Sequence, residues 1–199
     1  MSTTATAATG RPRLFDEEAV LTKLTAMFWH QGYTMTSMND IVQASGVHKP
    51  SLYRTFGSKE VLFATVLRRY LTERIAMFTR MIEEAGPGIE GVHKFLTLFE
   101  ADAVSEQGRD GCLMVMASNE LRGNLPGYEF SADYRHQMGG CLEPLVSRAL
   151  PDTGPELVQA RTDLLTTYLL GLQVIMRSGA SADEIHQHLH AMHVTIDGW

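Results

Sequence analysis

The sequence predicts an all-α protein, with an N-terminal three-helix helix-turn-helix domain joined by a long connector helix to a larger helical domain. Apolar residues recur three and four positions apart along most of the 199 residues, and no segment alternates with the period of a strand. A helix-turn-helix pattern lies between residues 36 and 59. We expect a disordered basic arm at 1–13, the helix-turn-helix domain at 14–70 and the larger domain at 71–199.

The helix-turn-helix pattern has three parts. Ile41 and Val42 share the apolar face of a first short helix, and Gly46 allows the positive φ of a sharp turn. Leu52 and Phe56 then form the apolar back of a second helix, among side chains that are polar, cationic or amphipathic. A helix of about two turns with an apolar back and a donor-rich front suits insertion into a major groove.

Capping residues predict the helix ends of this domain. Asp16 and the acids after it begin a first helix, which Gly32 ends. Thr36 or Ser37 caps the second helix, and the hydroxyl and backbone N–H groups there either only cap it or also hold a DNA phosphate. Ser58 caps the connector helix, which is expected to run to about residue 84.

The larger domain is predicted to contain five further helices. Pro144 would remove the hydrogen bond to the carbonyl of Gly140, so it should kink or split the third of them. The expected bounds are 89–106, 111–121, 126–149, 154–178 and 181–196.

Charge is divided unevenly along the chain, although the whole carries −6. Residues 1–70 contain eight Lys/Arg and five Asp/Glu, whereas the remainder contains nine and 18. This division fits a basic DNA-reading head on an acidic body. Arg11 and Arg13 are either a solvated pair of charges or an arm that reaches phosphates or the minor groove.

Three motifs resemble the DNA-binding domain of the TetR family of one-component transcriptional regulators. They are the opening GRPR, FW-x-x-GY-x-x-T-S-M-x-D-I, and GV-x-x-x-SLY-x-x-F-x-SKE-x-LF. The resemblance covers roughly residues 10–70. GCLMVMASNEL, residues 111–121, also resembles a segment in the ligand-binding half of such regulators.

The resemblance implies base and phosphate contacts along the second helix of the motif. Tyr53 is expected to donate to a phosphate, as is Lys59 at the start of the next helix. Chemistry alone makes Lys49 and Arg54 the candidates to read guanine O6 and N7. The predicted DNA-contacting set is Arg11, Arg13, Thr36, Ser37, His48, Lys49, Pro50, Ser51, Tyr53, Arg54 and Lys59.

The methionine-rich larger domain, with 11 Met in the whole chain, is either an ordinary core or an adaptable apolar ligand pocket. The resemblance favours a pocket between the connector helix and the next three helices. The predicted lining is Met77, Met81, Phe95, Phe99, Met114, Asn119, Tyr128, Tyr134, Met138 and Tyr168.

The last two helices are predicted to form a homodimer interface. The first of them is apolar around most of its circumference, and two heads must be paired to read a palindrome. The predicted interface is Leu164, Leu165, Leu169, Leu172, Ile175, Ile185, Leu189 and Met192.

Two rival sites remain open as alternatives. His186, His190 and His193 share a helix face at metal-ligand spacing, but no nearby Cys or carboxylate partner stands out, so a solvated face is favoured. Cys112 and Cys141 could form a redox switch, although an apolar run usually buries an inert thiol.

Other classes of protein are not favoured. No catalytic motif is found, so we predict no enzyme and no cofactor or metal. No apolar run approaches the roughly 20 residues of a membrane helix, and no signal peptide is visible, which predicts a cytoplasmic protein with no membrane partner.

The hypothesis that the sequence supports best is a ligand-responsive dimeric DNA-binding regulator. It is a repressor that a small apolar or aromatic effector releases from a palindromic operator. The alternatives are a metal- or thiol-redox-sensing regulator of the same architecture, and a helical small-molecule binding protein with an idle DNA-binding head.

Overall fold

The structure, a computed structural model, describes residues 15–106, 108–122 and 125–199. Within these ranges it is all-α, as predicted, and its only strand-like pairing is an isolated bridge between Leu125 and Tyr128. The helices are α1 Glu17–Gln31, α2 Met38–Ser45, α3 Lys49–Phe56, α4 Lys59–Ala85, α5 Gly88–Ala103, α6 Leu113–Leu121, α7 Phe130–Ala149, α8 Pro155–Arg177 and α9 Ala182–Ile196. The predicted arm, with Arg11 and Arg13, lies outside the described residues.

The predicted caps begin and end the first helices. The Asp16 carboxylate accepts from the backbone N–H groups of Glu18 and Ala19, which are among the donors that an α-helix leaves free at its start. Ser58 does the same for α4. Gly32, with a φ of +82°, ends α1.

Two of the predicted bounds in the larger domain were wrong. α5 ends at Ala103 rather than near residue 106, because the N–H of Ser105 bonds to the carbonyl of Asp102, only three residues back, and so leaves the α-helical pattern. α7 begins at Phe130 rather than near residue 126, because Leu125 and Tyr128 close a tight turn through two N–H···O bonds of 2.8 Å.

Pro144 does not split α7, which continues from Phe130 to Ala149. Pro144 and Gly140 both lie on the exposed side of the helix, where water can solvate the carbonyl that the missing N–H leaves free. Leu142 and Leu145 are fully buried on the other side, before and after the proline. Packing of that side against α8, α5 and α4 holds the helix together.

α4 is shared by two hydrophobic cores. Its first half packs into the head, which we define as α1, α2, α3 and the start of α4. There Phe63 is fully buried between Phe28 and Tyr33, with ring centroids 4.7 and 4.8 Å away. Its second half packs into the body, α5 to α9, where the ring of Phe78 lies 6.0 Å from both Phe95 and Phe99.

Across the described ranges, none of the helices combines the length and the apolar character that a membrane crossing requires.

Two glycines give opposite expectations for stability. Gly140 has helical backbone angles, is exposed and has no neighbour within 4 Å of the place that a Cβ would take, so Gly140→Ala should raise the free energy of unfolding by about 1 kcal/mol. Gly46 also has no close neighbours, but its φ is +71°. Gly46→Ala should therefore lower the free energy of unfolding by about 1 kcal/mol. Urea denaturation at one protein concentration measures both changes. Destabilisation by Gly140→Ala would contradict the account of α7.

Candidate nucleic-acid interface

The turn between α2 and α3 is built as the sequence predicts. Ser37 caps α2 through a reciprocal pair of bonds: the N–H of Asp40 donates to Ser37 Oγ at 3.2 Å, and the N–H of Ser37 donates to Asp40 Oδ2 at 2.7 Å. These bonds to Ser37 lower the pKa of Asp40. Gly46, with its positive φ, then ends α2.

α3 has one buried and one exposed side. Leu52 and Phe56 pack into the head core, as expected. On the opposite side the ring of Tyr53 is 44% exposed, and the polar or cationic residues around it are exposed or half-buried. The predicted DNA-contacting residues of this surface are His48, Lys49, Pro50, Ser51, Tyr53 and Arg54, and all of them lie on α3 or its N-cap.

The two candidate base readers are not neutralised by the chain. Neither Lys49 nor Arg54 forms an ion pair with a carboxylate among the residues that the structure describes. Within the described ranges, the one hydrogen bond of the Arg54 side chain is a long 3.4 Å contact from Nη2 to Ser51 Oγ. Exposed, unpaired guanidinium and ammonium groups on one short helix are available to phosphate oxygens and to guanine edges.

The phosphate role predicted for the hydroxyl of Thr36 was wrong. Thr36 is buried, and its Oγ1 donates to the carbonyl of Gly32 at 2.6 Å, where it fixes the end of α1. Ser37, the next residue, is exposed and is the N-cap of α2. Either hydroxyl could cap a helix on sequence grounds, and only tertiary packing distinguishes the buried one.

Lys59 ties the start of α4 to the turn after α1. Its Nζ donates to the carbonyl of Tyr33 at 2.7 Å and lies 4.0 Å from the centre of the Tyr33 ring. Partial burial lowers its pKa. An ammonium has three N–H donors, so the bond to Tyr33 leaves two for the predicted phosphate contact.

The end of α1 is held by two side chains of the body. The N–H of Thr34 donates to Glu120 Oε2 of α6 at 2.8 Å, and Arg177 Nη2 of α8 donates to the carbonyl of His30 at 3.4 Å. Gly32 lies directly against the Glu120 carboxylate, which leaves no room there for a Cβ. No local sequence pattern links residues so far apart, and the sequence therefore did not reveal this junction.

The predicted effector-pocket residues lie in three environments. Phe95, Phe99, Met114, Tyr134 and Met138 are fully buried in the body core. Met77, Met81, Tyr128 and Tyr168 are partly buried against that core.

Asn119, the tenth, is exposed and lines a cavity of about 330 Å³ between α6 and α8. The hydroxyl of Tyr168 is buried with no hydrogen-bond partner within the described part of the chain.

The predicted dimer interface was largely wrong. Six of its eight residues are buried against the chain's own helices and cannot contact a second copy: Leu165, Leu169, Leu172, Ile185, Leu189 and Met192. Ile175 is half-buried, and only Leu164, at 46%, is well exposed.

The sequence interpretation missed a second apolar stripe on α8. It comprises Leu157, Ala160, Leu164, Thr167, Gly171 and Val174, all of them exposed. These residues alternate three and four positions apart, a spacing that the sequence already shows and that is typical of a seam between two helices. Ala191 and Val194 of α9 are exposed as well.

One of the histidines predicted to share a face, His186, does have a carboxylate neighbour, contrary to the expectation from sequence. His186 Nδ1 lies 2.8 Å from Glu100 Oε1, and His193 stacks on His93 with 2.7 Å between their Nδ1 atoms. Burial, followed by the nearby His93, lowers the pKa of His193. No group of three potential metal ligands forms anywhere in residues 15–106, 108–122 and 125–199.

The two cysteines are free and lie in different surroundings. Cys112 is buried at the N-cap of α6, and its Sγ is 3.4 Å from the hydroxyl of Tyr134. Cys141 is half-exposed on α7, 3.6 Å from Thr79 Oγ1, and burial raises its pKa.

Comparison with known proteins gives one family. Residues 20–66 match the model of the bacterial regulatory proteins of the tetR family. The chain is 29% identical over 185 residues to the HTH-type transcriptional repressor ComR of Escherichia coli (strain K12), covering 89% of this chain and 87% of that protein. It is 26% identical over 177 residues to the repressor BdcR of the same organism, covering 88% and 86%.

A solved structure is similar over most of its length. It is a cysteine mutant of the TetR family transcriptional regulator CifR, complexed with 26bp double-strand operator DNA. The TM-score is 0.74 and the identity 27%, over 91% of this chain and 99% of that one.

Gly32→Ala tests whether Glu120 is held against the head. The matched control is Gly86→Ala, because Gly86 has nearly the same φ, +85° against +82°, and open space around it. We expect the control to lower the free energy of unfolding by about 1 kcal/mol. Gly32→Ala should cost roughly 1.5–3 kcal/mol more, because displacing Glu120 breaks a hydrogen bond to a charged acceptor. Equal losses in urea denaturation would show that this bond contributes nothing.

Proposed function

We propose that this chain, which belongs to the tetR family of bacterial regulatory proteins, is a dimeric repressor that a small molecule releases from a palindromic operator. The observation that carries the proposal is α3, a helix with a buried apolar back, whose exposed side presents Tyr53 and cations that form no ion pair within the described ranges. The relatives named as repressors, and the similar regulator bound to operator DNA, support it.

DNA binding is proposed to use the residues on and around α3. Tyr53 and Lys59 contact phosphates and set the register, while Lys49 and Arg54 read base edges. Ser37 and the free N–H groups at the start of α2 form an additional phosphate site. An operator-bound regulator of a bacterial family acts in the cytoplasm, where the DNA is.

Dimerisation is proposed to use the exposed stripe of α8 together with Ala191 and Val194 of α9. Gly171 lies mid-stripe with open space around it, since no neighbour comes within 4 Å of the place that a Cβ would take, so a second helix can approach closely there. Two-fold pairing of these helices would place two copies of α3 side by side, as reading a palindrome requires.

Effector binding is proposed to take place in the body, on the far side of the junction from DNA. Two buried polar atoms of the body, the Tyr168 hydroxyl and Gln173 Oε1, have no partner in the described ranges, and they support a ligand with at least one polar group because buried polar atoms normally have partners. The effector acts by favouring an arrangement of the two heads that no longer fits successive major grooves.

The function is tested by selecting bound sequences from a random duplex pool at near-physiological salt. We expect a palindromic motif with half-sites about one helical turn apart. Without any enriched motif, the alternative of a small-molecule binding protein with an idle head would be preferred.

Lys49→Ala should relax the preference at one base position of that motif, with a loss of about 1–3 kcal/mol on the specific site. Tyr53→Phe is the matched control, because it removes a phosphate donor and should weaken binding to specific and random DNA alike. For each variant, fluorescence anisotropy measures the affinity for the specific duplex and for the random duplex, and the ratio of the two affinities is compared with that of the wild type. Equal losses on both duplexes for Lys49→Ala would refute base reading by this residue.

Leu164→Glu and Val174→Glu should each convert the dimer to monomer, because the side chains are 46% and 49% exposed on the proposed seam. Val104→Glu is the control, since Val104 is also 40% exposed but is the C-cap of α5 and not part of the proposed seam. Sedimentation velocity gives the mass of each variant. A dimer that survives both α8 substitutions would exclude this interface.

A further inference from the structure

The cavity between α6 and α8 is lined by both side chains that hold the head. Glu120 and Arg177 form part of its wall, and the same two residues bind the N–H of Thr34 and the carbonyl of His30. At about 330 Å³ it is at the small end of the range for ligand pockets. A molecule in this cavity would therefore lie in contact with the attachment of α1.

One buried acceptor on the cavity wall lacks a donor. Gln173 is 2% exposed, and its Oε1 has no hydrogen-bond partner in the described ranges. An amide oxygen without a partner away from water is unfavourable, so a ligand that supplies an O–H or N–H would gain from meeting it.

The rest of the wall sets the character of the ligand. Val115 and Met116 contribute apolar surface, and methionine adapts to ligands of different shape. Gln173 and Glu120 supply acceptors, while Asn119, Arg177 and Ser178 add donors to the same wall. The site thus combines an apolar surface with one acceptor, Gln173 Oε1, that has no partner in the described ranges.

We propose that this cavity is the effector site, and that it takes a small molecule with an apolar body and an O–H or N–H donor. The inference rests on the repressor function proposed above and adds where the effector binds and how it acts. The donor binds Gln173 Oε1 and competes with the N–H of Thr34 for the Glu120 carboxylate. Loss of that bond loosens the end of α1, so affinity for the operator falls.

Binding is tested on the full-length protein with two probes of similar shape, benzyl alcohol and toluene, of which only the alcohol has a donor. Methionine methyl groups are labelled with ¹³C, and the signal of Met116 is assigned by its absence in Met116→Leu. We expect the alcohol to shift Met116 and to bind about tenfold more tightly than toluene, the value of one net hydrogen bond. Gln173→Met, similar in size, should remove that difference.

Two results would overturn the site. The first is a Met116 signal that neither probe moves at millimolar concentration. The second is an unchanged preference for the alcohol in Gln173→Met, which would show that Gln173 does not select the donor.

Coupling is tested by operator affinity with and without saturating benzyl alcohol. The alcohol should weaken the wild-type complex about tenfold, within the usual range for allosteric coupling. Glu120→Ala should bind the operator more weakly without the probe and should not respond to it. Glu120→Gln, which keeps an acceptor for Thr34, should recover the probe-free affinity.

Glu83→Ala is the control, because it also removes a carboxylate, but Glu83 is exposed near the end of α4 and does not line the cavity. This variant should lose operator affinity in benzyl alcohol as the wild type does. Thermal unfolding checks that every variant is folded. A Glu120→Ala protein that still responds like the wild type would overturn the coupling.

The possible outcomes distinguish failure of this inference from failure of the proposed repressor function. An enriched operator whose affinity benzyl alcohol leaves unchanged overturns the inference and leaves the DNA-binding regulator intact. Failure to enrich any operator overturns the function, while the Met116 signal still decides whether the cavity binds a donor.

Discussion

The burial of α4 on two sides is the constraint on which the rest of the structure depends. Its first turns complete the head core through Phe63, and its later turns complete the body core through Phe78. No flexible linker separates the two cores, because one unbroken helix of 27 residues passes through both. At 1.5 Å per residue this is roughly 40 Å, so a small tilt at one end becomes a displacement of several ångström at the other.

The junction at Glu120 restrains the orientation of the head relative to the body. α4 alone would let the head pivot, whereas the bonds from Glu120 and Arg177 fix the end of α1 to α6 and α8. The connector helix α4 and two helices of the body, α6 and α8, thus determine the position of α3. An effector site beside this junction would act over a short distance, through two side chains, rather than through the whole body core.

The sequence predicts the fold and the reading surface because their determinants are local. Ser37, Gly46 and Ser58 fix helix ends through bonds within a few residues, and Leu52 and Phe56 define a buried side by spacing alone. Thr36 and the dimer residues were misassigned because local patterns do not show which side of an element packs on its own chain, and α8 is apolar on two sides. The Glu120 junction joins residues 86 positions apart, beyond the reach of any local pattern.

The shortness of α2 and α3 links recognition to folding. Each has eight residues, fewer than an isolated helix needs to be stable in water, so each exists only while packed on α1 and α4. The arrangement of Lys49, Tyr53 and Arg54 is therefore a property of the intact head rather than of the peptide that carries them. Warming that opens the head locally should abolish operator binding while the body remains folded, which would make repression inherently sensitive to temperature.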